Sequence, residues 1–410
     1  MLDPSRIMQR CDALARHSEL SQGLTRVFLS PQSRAAGELV LGWMREAGMQ
    51  ARLDAIGNAL GRYEGERPGL PCLMLGSHLD TVRDAGKYDG MLGVISAIEC
   101  VDHLRAQGRK LPFAIEVVGF GDEEGVRFGT TLLGSRAIAG TLDPKVLEAR
   151  DANGVSIAQA LREFGLDPEK VHAVRKRRDE LLAYVELHIE QGPVLEAEGL
   201  PVGVVSAING FSRLRVTLRG EAGHAGTVPM KQRRDALAAA AECTLAVERL
   251  ARAQPGLVGT VGRIEAKPGA INVIPGEVQF SVDVRSPEDA AREQAVAAVR
   301  TEIALISENR KIRFEIETLQ ELGSSACAHW LMGQLEQAVR AEGLRALRLA
   351  SGAGHDGMAM KAVADIAMLF VRCKAGVSHN PAEAISNEDA GTGARVLYRF
   401  MHDFRPDLSA

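Results

Sequence analysis

Apolar runs of strand length alternate with amphipathic stretches of helical length along most of this 410-residue chain. No other feature constrains the fold as strongly. Strands and helices that follow one another in turn are accommodated by a sheet with helices laid over its faces. Between residue 33 and Gly48, Leu39, Val40, Trp43 and Met44 recur at helical spacing, with Ser33 opening the stretch and the glycine closing it. Residues 73–76 read as a short apolar strand, 90–104 as a helix, and 113–119 as a second apolar run ending in Gly-Asp-Glu-Glu-Gly. Residues 184–189 alternate and carry His188.

The texture changes at Asn209-Gly210. Residues 211–219, 277–285 and 312–318 alternate as half-exposed strands, and 233–253 and 287–307 are helical. That set fits a small α+β layer with one open face. The first pattern resumes at 328–342 and 364–371 and closes with a helix over 387–400. The expected organisation is a discontinuous α/β domain of 1–208 and 323–410, interrupted by an insert of 209–322.

Composition narrows the function only by exclusion. A hydrophobic fraction of 46% and a charged fraction of 25% belong to a globular chain, not to a disordered or fibrous one. A formal net charge of −4 offers no basic surplus for nucleic acid or anionic membrane. Two Trp, four Tyr and eleven Phe are too few for base-stacking platforms. No apolar run reaches the roughly 18 residues of a membrane span, and the first ten residues have no signal-peptide core. Six scattered cysteines without a Cys-x-x-Cys pair read as buried small hydrophobes in a reducing compartment. A cytoplasmic enzyme or binding protein is the expectation.

The residues that choose between those two sit where strands end, the edge at which an open α/β sheet places its ligands. In His78-Leu-Asp80 the two polar side chains share a face, and a carboxylate beside a ligating imidazole fixes its tautomer. An exposed turn histidine is the other reading. Asp89 opens a helix, either as a cap or as a carboxylate bridging two cations. Adjacent Glu123 and Glu124 repel, unless a metal takes one and leaves the other as a base; a surface acidic turn is the alternative. With His188 and His379, the set His78, Asp89, Glu124, His188 and His379 has the ligand chemistry of Zn, Mn, Co or Ni. Five ligands with one shared carboxylate suit two metals roughly 3.5–4 Å apart, with Glu123 placed to take a proton from water.

These segments together resemble the metal-dependent aminoacylase/carboxypeptidase superfamily, in its hydantoinase/carbamoylase branch. The resemblance rests on Gly-Ser-His-Leu-Asp-Thr-Val (76–82), Lys-Tyr-Asp-Gly-Met-Leu-Gly-Val (87–94), Asp-Glu-Glu-Gly-Val-Arg-Phe (122–128), Glu-Leu-His-Ile-Glu-Gln-Gly-Pro-Val-Leu-Glu (186–196), Gly-His-Ala-Gly-Thr-Val-Pro-Met (223–230), Asn-Val-Ile-Pro-Gly (272–276) and Val-Ser-His-Asn-Pro-Ala-Glu (377–383), which run in the family's order. It implies a mixed-sheet, dinuclear-metal hydrolase domain with helices on both faces and an inserted lid and dimerisation domain. It also implies that Asp89 bridges the two metals, that Glu123 is general base and then acid with Asp80 supporting the centre, and that His224 steadies the developing oxyanion, often across a dimer. Asn272 and Arg285 match positions that hold the substrate carboxylate, for which a planar guanidinium is a two-pronged donor, and Arg213 is a further candidate. Read alone, an arginine on an alternating strand such as Arg285 is more often a solvated face residue, and Asn272 is a turn former. Gln191, Gly354 and His355 are expected at the ureido pocket.

All branch members hydrolyse a ureido C–N bond near a carboxylate. Segments 25–31, 84–90 and 129–135 are similar to allantoate amidohydrolases, so allantoate is the expected substrate. N-carbamoyl-L-amino acids and 3-ureidopropionate are the alternatives. The expected partners are that small ureido acid and a second copy of the chain, with no nucleic acid and no membrane. The basic run 175–178 reads as a solvated loop.

Overall fold

The computed structural model describes residues 2–407. The chain forms two compact units: Met1–Ser206 with Ala326–Leu349 and Ala353–Ala410, and Ala207–Ser325 with Ala350–Gly352.

In the first unit a mixed sheet runs Gln50–Leu53, Ala59–Tyr63, Ala114–Phe120, Cys72–His78, Leu181–Ile189, Ile366–Val371 and on to Val202. The four strands from Ala114–Phe120 to Ile366–Val371 are mutually parallel, and their neighbours on either side pair antiparallel. Every residue of Cys72–His78, Ala114–Phe120 and Ile366–Val371 is buried. Parallel strands covered on both faces read as continuous apolar runs for this reason. The helix Met91–Ala106 buries 12 of its 16 residues. A Cβ on its Gly93 would lie 2.1 Å from the Leu187 carbonyl oxygen, so only glycine lets this helix lie directly against that strand. The helix Asn387–Asp403 packs over Met91–Ala106.

The first long helix starts earlier than Ser33. It runs Pro31–Glu46, capped by Ser30, whose hydroxyl accepts from the Ser33 amide. Proline at the first helical position supplies the φ of a helix start and lacks only an N–H that would go unused.

The second unit is an antiparallel sheet in the order Ile264–Lys267, Glu277–Ser286, Gly210–Arg219, Arg313–Leu322. Glu277–Ser286 alternates half-buried and buried without a break. Its inward residues Val278, Phe280, Val282 and Val284 meet Ala239, Cys243 and Val247 of the helix Ala236–Arg252 and Val299 and Ile303 of Asp289–Asn309.

All six cysteines are free and buried. Among the described residues no helix is long and apolar enough to cross a membrane.

Candidate metal centre and active site

Parallel strands bring their C-terminal ends to one edge, and the chemistry of this chain is concentrated there. His78 ends its strand in register with Phe120, after which the chain turns through Asp122, Glu123 and Glu124. His188 lies in register with Phe370, and the segment leaving Val371 carries His379. Asp89 immediately precedes Gly90 and the helix Met91–Ala106. Asp122, Gln191 and His379 hold positive φ of 61°, 57° and 53°. Such backbone is costly for residues with a Cβ, and it recurs at functional sites.

Asp89 is the hub. Its Oδ1 lies 3.4 Å from Nε2 of His78 and 3.0 Å from Nε2 of His188. Its Oδ2 lies 3.2 Å from Nε2 of His379, whose Nε2 is in turn 3.4 Å from Glu124 Oε1. The two carboxylate oxygens thus sort the donors into two sets, His78 with His188 and Glu124 with His379. Both imidazoles of the first set donate from Nδ1 to backbone carbonyls, His78 to Asp80 at 3.0 Å and His188 to Ile189 at 2.8 Å, so the neutral rings carry their lone pair on Nε2, which in His188 also accepts from the Gly90 amide at 3.1 Å.

Asp80 does something the sequence did not suggest. Its nearest carboxylate oxygen is 3.9 Å from the His78 ring, and the carbonyl holds the tautomer instead. The carboxylate accepts from the amides of Glu123 at 3.0 Å and Glu124 at 3.2 Å. Asp80 therefore shapes the acidic turn. Glu383, the last residue of the 377–383 segment but given no role by the sequence, plays a parallel part. It accepts from the amides of Tyr88 and Asp89 and from the Ser378 hydroxyl, at 2.8, 3.2 and 3.0 Å. Glu186, which opens the 186–196 segment and is likewise given no role by the sequence, accepts from the hydroxyls of Ser77 and Tyr184. Gly90 carries a φ of 73°, and a Cβ there would come 2.6 Å from the His78 ring.

Gln191 donates from Nε2 to Asp89 Oδ2 at 2.8 Å. Gly354 lies beside the Glu123 carboxylate, 3.9 Å from where a Cβ would be. His355 is buried with its ring edge on His188, centroids 4.5 Å apart. The other four residues belong to the second unit. His224 is exposed on a two-residue strand paired with Val273, and the Ala225 amide donates to the Asn272 carbonyl, so these two residues are neighbours. Arg213 and Arg285 share Asp283. Arg285 grips it through Nε and Nη2 at 2.9 and 3.0 Å and donates from Nη1 to the Gly352 carbonyl, while Arg213 Nε reaches it at 3.1 Å.

Residues 74–403 match the model of peptidase family M20/M25/M40. The chain belongs to that family. Similar full-length proteins include an N-carbamoyl-L-amino acid amidohydrolase of Geobacillus stearothermophilus, 43% identical over 97% of this chain and 98% of the other. An allantoate deiminase of Arabidopsis thaliana is 40% identical over 96% of this chain and 82% of the other. Among solved structures, an amidase of the hydantoinase/carbamoylase family from Burkholderia multivorans superposes with a TM-score of 0.93 at 32% identity, covering 98% of this chain and 97% of that one. This M20/M25/M40 member is a hydrolase of C–N bonds.

The M20/M25/M40 family is metal-dependent, and the donors fit that chemistry. His78, Asp89 and His188 form one group whose ligand atoms lie within 4.8 Å of one another, and Asp89, Glu124 and His379 form another. Imidazole nitrogen with carboxylate oxygen is the donor set of borderline divalent cations. The electrostatics point the same way. Burial, reinforced by Glu124, Asp356 and Asp80, pushes Glu123 well above the usual carboxylate range against the pull of His78. Burial also lifts Glu124 to about 7. Asp89 is held well below the ordinary range, because hydrogen bonds from three histidines outweigh its burial. Carboxylates crowded in this way repel one another when ionised, a cost that bound cations would remove.

Proposed function

We propose that this chain hydrolyses a ureido C–N bond of allantoate, with Glu123 as the proton carrier and two divalent cations held by His78, His188, Asp89, Glu124 and His379. The observation that carries the reading is the division of donors between the two oxygens of Asp89, with Glu123 on the same turn as Glu124. Bound there, the cations would supply Lewis acidity toward a carbonyl and lower the pKa of water. The chain's residues do the rest. Glu123 accepts the proton of the attacking water as the C–O bond forms and returns it to the departing nitrogen as C–N breaks. A carboxyl group whose pKa is raised by burial suits both transfers. Asp80 keeps Glu123 and Glu124 in place through their amides. Arg213 and Arg285, two guanidiniums on one aspartate, retain a net positive charge for the substrate carboxylate. Asn272 completes that grip and His224 donates to the developing oxyanion, while Gln191, Gly354 and His355 border the ureido group.

We further infer a cytoplasmic homodimer formed through the second unit. Its edge strand Arg313–Leu322 leaves Phe314, Leu319 and Leu322 exposed, as an unpaired strand awaiting a partner would. Segments 25–31, 84–90 and 129–135 favour allantoate. An N-carbamoyl-L-amino acid is the second reading, favoured by the similarity to the Geobacillus enzyme. Turnover of allantoate, N-carbamoyl-L-amino acids and 3-ureidopropionate by protein loaded with Mn, Zn, Co or Ni decides between them. Allantoate should give the highest kcat/KM, and a faster carbamoyl amino acid would overturn the substrate assignment.

A further inference from the structure

A cavity of about 810 Å³ in the first unit shares no residue with the metal centre. Its size is that of a small-molecule pocket. The floor is apolar, with Leu142, Leu147 and Val171 among its residues, and the rim carries Arg150, Arg162 and Arg175 against Glu148 and Glu169. Three guanidiniums facing two carboxylates leave the rim positive.

The basic run 175–178 explains part of this rim. Lys176 pairs with Glu116 at 2.8 Å, Arg177 with Asp179 at 2.9 Å and Arg178 with Asp365 at 3.1 Å. Among the described residues Arg175 has no carboxylate partner, and neither has Arg162. The Arg175 stem lies over Gly140, where a Cβ would meet its Cδ at 2.6 Å, so the side chain is laid along the cavity wall. A solvated loop would not need an unpaired arginine packed this way along a cavity wall that holds a second one.

The wall also includes Ala137 and Gly140, at the end of the helix Leu133–Ala139. The start of the same helix is tied to the acidic turn. The Leu132 amide donates to the Glu123 carbonyl and the Leu133 amide to the Asp122 carbonyl, each at 3.3 Å. One short rigid element thus touches the cavity at one end and the turn carrying Glu123 and Glu124 at the other.

We propose that this cavity is an effector site for a small organic anion with an apolar body, whose acid group lies between Arg162 and Arg175 and whose body rests on Leu142, Leu147 and Val171. Occupancy acts on turnover through the helix Leu133–Ala139. The binding half of the proposal is independent of the substrate assignment, and the effector half uses whichever ureido acid the enzyme turns over.

The probe is anilinonaphthalene sulfonate, an anion on an aromatic body, titrated into the metal-loaded protein by fluorescence. Saturable binding of one molecule per chain is expected. The doubly substituted Arg162→Gln/Arg175→Gln protein should weaken it about tenfold or more, and Ala158→Trp, which puts an indole into the cavity, should weaken it as well. Unchanged melting temperatures establish that these variants fold. At saturation the wild-type kcat should change by about twofold or more, and that of the double variant should not respond. No saturable binding, or binding the variants retain, would overturn the site. Binding without any change in kcat would overturn the effector role.

Discussion

Half-buried Glu123 and buried Glu383 are both acids beside the proposed cation site, and their neighbours separate their roles. Glu123→Gln removes the proton carrier but leaves all five donors, so metal content should stay near two per chain while kcat falls roughly a hundred- to ten-thousand-fold. Metal analysis beside initial rates checks this, and loss of both metals in the variant would sink the assignment. Glu383→Ala should act on binding, because it releases the amides that orient Asp89; metal affinity measured against a competing chelator should drop about 10- to 100-fold. Glu383→Gln, which still offers an oxygen to those amides, should recover part of the loss, and an unaltered affinity in both would refute the positioning role. The ligand types were legible in the sequence because imidazole and carboxylate side chains advertise their chemistry. Glu383 was not, since the amide of Asp89 that it accepts from lies 294 residues away.

At the scale of elements, periodicity was a sound guide wherever one face is buried. The alternation read over 277–285 is the inward row Val278, Phe280, Val282 and Val284 of the second unit. Truncating the fully buried Phe280 to Ala should destabilise that unit by roughly 3–5 kcal/mol, read from denaturant unfolding of the whole chain. Helix ends were less legible, because capping depends on one hydroxyl's geometry and not on a repeat. Ser30 and Ser33 both precede apolar residues, and only Ser30 caps. Ser30→Ala should therefore cost about 1 kcal/mol, and Ser33→Ala should cost little; the reverse order would contradict the observed helix start. The parallel order of the central strands explains why four separate strand ends carry the site, since the crossover helices return each strand in the same direction.

For the whole molecule, charge and metal set the response to pH. Burial raises Glu124 to about 7 and Glu123 well above its ordinary value, so neither costs the fold anything while protonated, and the penalty of ionising them grows as pH rises. His78 and His379 are raised also; burial opposes this in both, but Asp89 and the nearby glutamates prevail. Their stabilising charge is present below the ordinary histidine value and lost as pH climbs through the folded value. Both effects have the same sign, and buried His355, held well below the ordinary histidine range, opposes them only below about pH 6.5, so chelator-treated protein should melt at progressively lower temperature from about pH 6.5 to about pH 8, and metal should largely flatten the slope. A flat profile without metal would contradict the buried-carboxylate account. If His224 serves the partner's centre in a homodimer, mixing Glu123→Gln and His224→Ala protomers should restore activity that neither variant has alone, and no rescue would place His224 in its own subunit's site. The sequence by itself determined the element types, the change of texture near Asn209 and the residues with ligand chemistry, because hydrophobic period and side-chain type are local properties. Only the tertiary structure decided that Asp80 holds the amides of Glu123 and Glu124, that Glu383 holds Asp89, that Arg213 and Arg285 share Asp283, and that Arg175 lines a cavity. Apart from the Arg285–Asp283 pair, which lies two residues apart on one strand, these are contacts between residues far apart in the chain, set by strand order and packing; a side chain's type shows its chemistry but not its partner.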